Sequence, residues 1–398
     1  MAKSLGKLIQ AFKNVTDPSQ AVEILNEAQF DKLKKYPNEG MELIRLACTN
    51  FSRNKDVFQV LESPKYLNAY SGAAFSYYLQ NLTYNKKTSM SPQFYALLEE
   101  KIVKMPPDKL SWKLVQNAFK IFGRYCIIPS FSYISKLEEV IINNSEQFSL
   151  AEYSVIVNFY ANFRLLENPE HKNPDRFRKV MLTKKNFSQH DLEKESAMNS
   201  LIGLTKSLVF LKHLQDTDLW TNNFKMLAYV YPKCHHDYTP WRIYTDMSIF
   251  QIIDAHQTFA PENMGKYVEF LRKITAKCHY DPKNLKTQNL VSPLEISIKE
   301  IFKKYSLKYE FDKIISNYYI ADYFLEPNIA IEIDGPRHFI RKYNDSSFKL
   351  LRGKAVYKTD LMSAKGYKVI RVPCFADDIE AYLINELKNI GVDVASSK

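Results

Sequence analysis

The stretch "IAIEIDGPRHFIRK", residues 329–342, decides the architecture of the C-terminal part of the chain. Its alternating isoleucines predict a β-strand over residues 329–334, because side chains on a strand alternate between the two faces of a sheet. Residues 320–325 show the same β-forming character, and the Glu-Pro-Asn sequence at 326–328 is typical of a turn. These features together predict an antiparallel β-hairpin.

The register of this hairpin brings acidic side chains together. A three-residue turn pairs Leu325 with Ile329, so Asp322 faces Glu332 on the opposite strand. The period of two puts Asp334 on the same face, whereas the isoleucines point to the other. Like charges this close are unfavourable unless a cation lies between them, so we expect either a metal ion or Lys and Arg side chains at this face.

The elements around the hairpin complete a small α/β module. The pattern predicts a helix over 294–305, a strand over 309–315, a basic helix over about 346–365, a strand over 367–372 and a final helix over about 377–389. The predicted order is α-β-β-β-α-β-α. We therefore assign residues 291–398 to one domain.

The dominant period from about residue 20 to 290 is helical. The segment 96–125 is echoed by 135–165, with Leu98-Glu99-Glu100 matching Leu137-Glu138-Glu139. This spacing predicts helix pairs that stack on similar pairs, which is an α-helical repeat solenoid. The alternative is two unrelated amphipathic hairpins in a globular helical domain. The predicted fold class is thus a solenoid over 1–290 followed by a small α/β domain.

Composition restricts the classes of partner. The 398-residue chain has a net charge of +11, which favours a polyanionic partner. Its five scattered cysteines argue against a disulfide framework and favour a reducing compartment. No run approaches the roughly 18 apolar residues that a membrane span requires, so no membrane partner is expected.

Two further segments have alternative interpretations. The first sixteen residues contain no acid and form an amphipathic pattern, which is compatible with an organelle-targeting helix or with the first helix of the fold. Cys234, His235, Cys278 and His279 lie in an echo of "YPKCHHDY" (231–238) by "TAKCHYDP" (275–282). These residue types match a Cys2His2 zinc set, but adjacent Cys-His residues are awkward ligands for one tetrahedral ion, so a divergent repeat or a chance match is expected.

The residues that follow the hairpin are strongly basic. Ten Lys and Arg residues lie between Arg337 and Arg371, against two acids. Such a run is usually a solvated face, but its density beside the acidic cluster and His338 favours contact with phosphates. The candidate RNA-binding residues are Arg337, Arg341, Lys342, Lys349, Arg352, Lys354 and Lys358.

The motif "IAIEIDGPRHF", a following basic helix and "LMSAKGYKVIRVP" resemble the RAP domain over residues 310–386. Many RAP domains carry an acidic residue and Trp soon after the proline, where this chain has Cys374-Phe375-Ala376-Asp377. The upstream helical pattern loosely resembles octotricopeptide-like repeats. The resemblance implies an organellar RNA-binding protein of the mitochondrial matrix that acts in RNA processing, stability or translation. Its implied partners are RNA, above all ribosomal RNA, and mitochondrial ribosomal proteins.

The RAP fold is in turn similar to restriction-type and very-short-patch-repair endonucleases, which implies a metal-dependent reaction as an alternative function. Asp322 and Glu332 match the acidic positions that would hold Mg²⁺ or Mn²⁺, and Asp334 and His338 would complete the catalytic set. Asp334 stands where such nucleases have Lys, which is a departure from the pattern. In the other interpretation Lys368, Arg371 or Arg337 neutralises the acids, no cofactor is bound and no chemistry occurs.

Three hypotheses follow. The favoured one is a non-catalytic RNA-binding protein, in which Lys and Arg contact phosphates and solenoid aromatics stack on unpaired bases. The second is a metal-dependent endoribonuclease. The third is a helical scaffold that binds another protein in the solenoid groove.

Overall fold

The computed structural model describes residues 4–83, 90–171, 174–182, 186–194, 196–233, 240–278, 280, 292–315 and 319–394. The chain forms two compact units. Unit 1 comprises Met1–Met181 and Ile340–Leu350, and unit 2 comprises Leu182–Phe339 and Leu351–Lys398. The boundary predicted at residue 290 differs from the boundaries of these units, because it was placed where the pattern changes from helices to strands. Independent folding of residues 291–398 stays a prediction.

Unit 1 is a two-layered array of helices. In chain order they are α1 (Leu5–Lys13), α2 (Pro18–Glu27), α3 (Phe30–Lys35), α4 (Pro37–Asn50), α5 (Lys55–Leu61), α6 (Pro64–Ala69), α7 (Gly72–Leu82), α8 (Pro92–Lys104), α9 (Trp112–Tyr125), α10 (Phe131–Asn144), α11 (Leu150–Phe163) and α12 (Pro174–Met181). In one layer α1, α4, α7, α9 and α11 pack on one another in succession, and in the other α3, α6, α8, α10 and α12 do so. This stacking of neighbours confirms the predicted helical-repeat architecture.

Buried glutamates connect successive repeats of unit 1. Glu62 Oε2 accepts a hydrogen bond from the backbone N–H of Ser91 at 2.8 Å, and Glu99 Oε1 accepts one from Ser130 at 3.0 Å. Ser91 and Ser130 are the N-cap residues of α8 and α10. Each carboxylate therefore satisfies a backbone donor at the start of the next repeat. Glu138, the sequence counterpart of Glu99, is also buried, but its Oε1 is bound by the Tyr160 hydroxyl and His171 Nε2.

The first helix is part of the core of unit 1. Leu5, Leu8, Ile9 and Phe12 of α1 are buried, and α1 packs against α4. The amphipathic pattern of this segment therefore serves packing, which agrees with its interpretation as the first helix of the fold.

Unit 2 combines further helices with a mixed sheet. The elements are α13 (Gln189–Glu193), α14 (Ala197–Phe210), α15 (Thr217–Val230), α16 (Pro240–Phe259), α17 (Met264–Thr275), α18 (Pro293–Lys304), β1 (Glu310–Ile315), β2 (Tyr319–Leu325), β3 (Ile329–Asp334), β4 (Phe339–Lys342), β5 (Asp345–Leu351), α19 (Gly353–Ala364), β6 (Lys368–Pro373) and α20 (Ile379–Asn389), of which β4 and β5 lie largely in unit 1. The four-stranded sheet has the order β1-β2-β3-β6. β1, β2 and β3 are antiparallel neighbours, and β6 is parallel to β3.

The two faces of this sheet differ. One face carries Tyr323, Ile331 and Ile370 in a large core completed by α18 and α20. The other carries a small core in which Phe324 and Ala330 pack with Met362 of α19. The acidic side chains of β2 and β3 belong to this second face, so α19 lies close to them.

The basic helix predicted over residues 346–365 is wrong in its first part. Asp345–Leu351 is a strand that pairs with β4, and α19 begins only at Gly353. Tyr343 and Asn344 form the two-residue turn between these strands. Because "SFKL" (347–350) alternates between polar and apolar residues after a turn, pairing with a neighbouring strand competes with the helix there. The element order therefore gains a β-hairpin before α19.

None of the described helices has the length and apolar character that a bilayer crossing requires. Of the proposed zinc ligands, Cys234, His235 and His279 lie outside the described residues.

Candidate nucleic-acid interface

The predicted register of the hairpin is confirmed. Leu325 pairs with Ile329 and Tyr323 with Ile331. Since Tyr323 faces the large core, its neighbour Asp322 lies on the α19 side with Glu332 and Asp334. Glu332 and Asp334 are 3% and 0% exposed. Buried carboxylates of this kind require partners.

Asp334 is held by two donors. Arg371 of β6 donates from Nε to Oδ2 at 2.7 Å and from Nη2 to Oδ1, which is bidentate. His338 Nδ1 lies 2.5 Å from Oδ1. Burial on its own would raise the pKa of Asp334, but the hydrogen bonds from His338 and Arg371 outweigh it and hold the pKa below its ordinary value. Asp334 is therefore an ionised, structurally paired carboxylate.

Glu332 is paired with Lys358 of α19. Lys358 Nζ donates to Glu332 Oε2 at 2.5 Å and to the Ile320 carbonyl at 2.7 Å. Burial raises the pKa of Glu332 although the charge of Lys358 opposes it. Oε1 of Glu332 is buried and has no hydrogen-bond partner among the residues that the structure describes. That oxygen is a buried, unsatisfied acceptor.

Asp322 is tied to the backbone of the neighbouring strand. Its Oδ2 accepts the N–H of Ile333 at 2.6 Å. Burial raises its pKa, and the charge of Lys358 opposes that rise. The three acids thus form one cluster on the sheet, as expected, and protein cations compensate them.

The residues as placed do not fit a divalent metal. Among the described residues, no group of three or more His, Cys, Asp or Glu side chains is arranged to hold one. Glu332 Oε2 is occupied by Lys358, and both oxygens of Asp334 are occupied by Arg371. A cation between Asp322 and Glu332 would have to displace Lys358, so we derive no metal-dependent step from this arrangement.

A cationic pocket of about 300 Å³ opens beside the acids. Its lining is Glu332, Arg337, His338, Arg352, Lys354, Ala355, Lys358 and Arg371. We call it the cationic pocket. Burial and the neighbouring charges of Lys358 and Arg352 lower the pKa of Lys354, although the residue as a whole is exposed. Such mutual repulsion favours an anionic ligand.

The predicted RNA-binding residues separate into two sets. Arg337, Arg352, Lys354 and Lys358 line the cationic pocket in unit 2. Arg341, Lys342 and Lys349 lie on the β4–β5 hairpin, in the part that belongs to unit 1. There Arg341 Nη2 donates to the Tyr125 carbonyl at 3.1 Å, so part of its donor capacity serves the fold.

Two lysines act at or near this site in ways that the sequence does not predict. Lys358 is predicted from the sequence to contact phosphates, but in the structure it also neutralises Glu332, which lies 26 residues away in the chain. Lys206 of α14 was not identified, yet its pKa falls to about 7 through burial and the charge of Lys354. No local pattern signals either contact, because each depends on tertiary packing. Arg371 was expected only as one of three alternative neutralising groups.

Unit 1 has a second candidate surface. A groove of about 650 Å³ crosses α4, α7 and α9 and includes Tyr77, Gln80, Trp112 and Lys113. Tyr77 is 42% exposed. We call this the repeat groove. Exposed aromatic rings beside a cation are the features on which unpaired bases stack.

Residues 331–376 match the family model of the RAP domain. The match begins in β3, includes the cationic pocket residues and ends just after β6. No curated protein matches the sequence. RAP domains are generally RNA-binding, and this is consistent with RNA binding by the chain.

Proposed function

Because the chain carries a RAP domain towards its C-terminal end, we propose that it is a non-catalytic RNA-binding protein of the mitochondrial matrix. Its role is ribosomal RNA binding as a component of the mitochondrial ribosome, or RNA processing and translation there. The matrix location and the ribosomal partners rest on the resemblance to RAP proteins.

The observation that carries the proposal is the cationic pocket within the matched segment. Five Lys or Arg side chains line it, and Glu332 is its one acidic lining residue among the described residues. Arg371 and Lys358 hold the carboxylates that a nuclease would need. The arrangement therefore favours holding a polyanion over cleaving it. The repeat groove adds aromatic surface for unpaired bases.

Binding is tested with the full chain and a fluorescent single-stranded RNA, by anisotropy at about 0.15 M salt. We expect saturable binding that weakens in the double variant Arg352→Gln/Lys354→Gln. The matched control is Lys303→Gln/Lys388→Gln, which removes two charges at the C-terminal ends of α18 and α20. Equal loss in both variants would show only non-specific attraction.

Location and assembly need a separate test. Tagged protein should co-purify with mitochondria and sediment in a large particle, and ribonuclease should release it into light fractions. Sedimentation unchanged by ribonuclease would favour the alternative of a protein-binding scaffold, and recovery outside mitochondria would contradict the proposed location.

The alternative enzymatic function is a metal-dependent endoribonuclease that uses Asp322, Glu332, Asp334 and His338. The unpaired Glu332 Oε1 is the observation in its favour. Labelled RNA incubated with Mg²⁺ or Mn²⁺ distinguishes the two functions. Fragments that the wild type makes and Glu332→Ala does not make would support cleavage. Identical fragment patterns from the two proteins would rule out the endoribonuclease function.

A further inference from the structure

The charges around the cationic pocket do not cancel. Five Lys and Arg side chains line it, whereas the acids of the cluster are Asp322, Glu332 and Asp334. Even with all three acids ionised, an excess of two positive charges remains. Protonation of a carboxyl group would increase this excess. The pocket is therefore suited to a ligand with about two negative charges.

Two of the cations have unused donors. Lys354 Nζ has no hydrogen-bond or ion-pair partner among the described residues. Arg352 Nη1 donates to the Arg337 carbonyl at 3.3 Å, but its buried Nε has no partner in the described ranges of the chain. Both residues lie at the start of α19, where the first backbone N–H groups also point away from the helix. Both residues line the same pocket, together with Ala355 of the first turn of α19.

The size and chemistry of the pocket suit the end of a nucleic-acid strand better than its middle. A terminal phosphomonoester has about −1.5 to −2 charges at neutral pH and three strong acceptor oxygens, whereas an internal phosphodiester has one charge. When an internal phosphate occupies a site, the RNA strand must also extend out of that site in two directions. A volume of about 300 Å³ holds a phosphate and part of one nucleoside.

Glu332 contributes a further recognition element. Glu332 lines the pocket, and its buried Oε1 has no hydrogen-bond partner within the described part of the chain. As a carboxylate it accepts a ribose hydroxyl, and as the protonated acid it donates to a phosphate oxygen. A nucleotide end supplies both kinds of group.

We propose that the cationic pocket binds the terminal phosphomonoester of an RNA strand, with Arg352 and Lys354 as its principal donors. The protein then recognises an RNA end and not only the backbone. This inference rests on the proposed RNA-binding function and specifies what the C-terminal site takes from the RNA.

The test compares three versions of one RNA oligonucleotide, with a 5′-phosphate, with a 3′-phosphate, or with hydroxyls at both ends. Anisotropy with the full chain gives the three affinities. We expect one phosphorylated version to bind about tenfold tighter than the hydroxyl version, since hydrogen bonds to a charged group are the strong class. Which version gains identifies the end that is recognised.

The variant Lys354→Gln should lower the ratio of the affinities for phosphorylated and hydroxyl-ended RNA towards one. Lys388→Gln, an exposed lysine of α20 that does not line the pocket, should leave the ratio unchanged. Circular dichroism confirms that both variants fold.

Each outcome decides the inference. Equal affinity for the three oligonucleotides overturns end recognition while RNA binding stands. A preference that persists in Arg352→Gln/Lys354→Gln puts end recognition outside this pocket and also overturns the inference. Failure of the protein to bind any of the three overturns the proposed function together with the inference.

Discussion

At the scale of single residues, the pairing of Arg371 with Asp334 determines how the acidic cluster behaves. Asp334 is fully buried, and Arg371 binds both of its oxygens. Arg371 also donates from Nη1 to Thr359 Oγ1 at 3.0 Å, which connects β6 to α19. The guanidinium is thus a structural counter-ion whose removal exposes the cost of burying a carboxylate.

We predict that Arg371→Met lowers the free energy of unfolding of unit 2 by about 3–5 kcal/mol, because it leaves the Asp334 carboxylate buried with a single partner. Urea denaturation of the variant measures this. Adding Asp334→Asn should restore part of the loss, since the uncompensated charge disappears. Strictly additive effects of the two substitutions would contradict the pairing.

His256 of α16 makes a second residue-level prediction. It is fully buried among Trp220, Phe224 and Tyr267, and neither ring nitrogen has a hydrogen-bond partner among the residues described. Burial lowers its pKa from 6.5 to about 4. The unfolded state therefore takes up a proton at a higher pH than the folded state.

The contribution of neutral His256 to the free energy of unfolding is fully present above about pH 6.5. It is lost as the pH falls towards 4, by about 3 kcal/mol in total. Thermal unfolding between pH 7 and 4 checks this. In His256→Phe the decline should be smaller by that amount. An unchanged acid profile in the variant would show that other groups cause the decline.

At the scale of elements, the buried glutamates between repeats act as caps. Glu99 accepts the N–H of Ser130 at 3.0 Å, and burial raises its pKa. A carboxyl group with a raised pKa destabilises the fold as the pH rises above its unfolded value. The hydrogen bond from Ser130 therefore contributes more to the stability of the fold than the negative charge of Glu99 does.

We predict that Glu99→Ala destabilises unit 1 by about 1–3 kcal/mol, because the N–H of Ser130 loses its acceptor. Glu99→Gln keeps a carbonyl oxygen and should be neutral or stabilising at pH 7. Guanidinium denaturation of the two variants measures the difference. Equal destabilisation by Gln and Ala would mean that the charge itself is needed.

The repeat groove gives a prediction about binding. Tyr77 of α7 lies in it beside Trp112 of α9. We expect Tyr77→Ala to weaken single-stranded RNA binding by about 1–3 kcal/mol through loss of one stacked base. Tyr244→Ala, an exposed tyrosine of α16 that does not line the groove, is the control. Similar RNA affinities of the two variants would contradict the stacking of a base on Tyr77 in the groove.

The β4–β5 hairpin shows why element prediction fails where it does. Residues 346–351 have both apolar and basic members, so they extend a helical pattern as readily as they form a strand. The N–H of Arg341 on β4 donates to the Cys126 carbonyl at 2.8 Å, and its carbonyl accepts from Ile128. These partners are more than 200 residues away in the chain, and local periodicity does not reveal them.

At the scale of the whole molecule, the net charge of +11 makes salt the main control of RNA affinity. We predict that the logarithm of the affinity falls linearly with the logarithm of the salt concentration, because bound phosphates release counter-ions. Lys354→Gln should reduce the slope by about 0.7, the value for one phosphate contact on a single strand. Binding that scarcely changes between 0.05 and about 0.2 M salt would contradict a phosphate-based interface.

The helical repeats, the hairpin register and the shared face of Asp322, Glu332 and Asp334 could be predicted from the sequence, because they follow from local periodicity and from one short turn. The cations that meet those acids depend on tertiary packing. Lys358 approaches Glu332 from α19, and Arg371 approaches Asp334 from β6, since packing against the sheet brings distant segments within hydrogen-bond distance. An ion pair depends on a few ångströms of separation, and a sequence does not record such a distance.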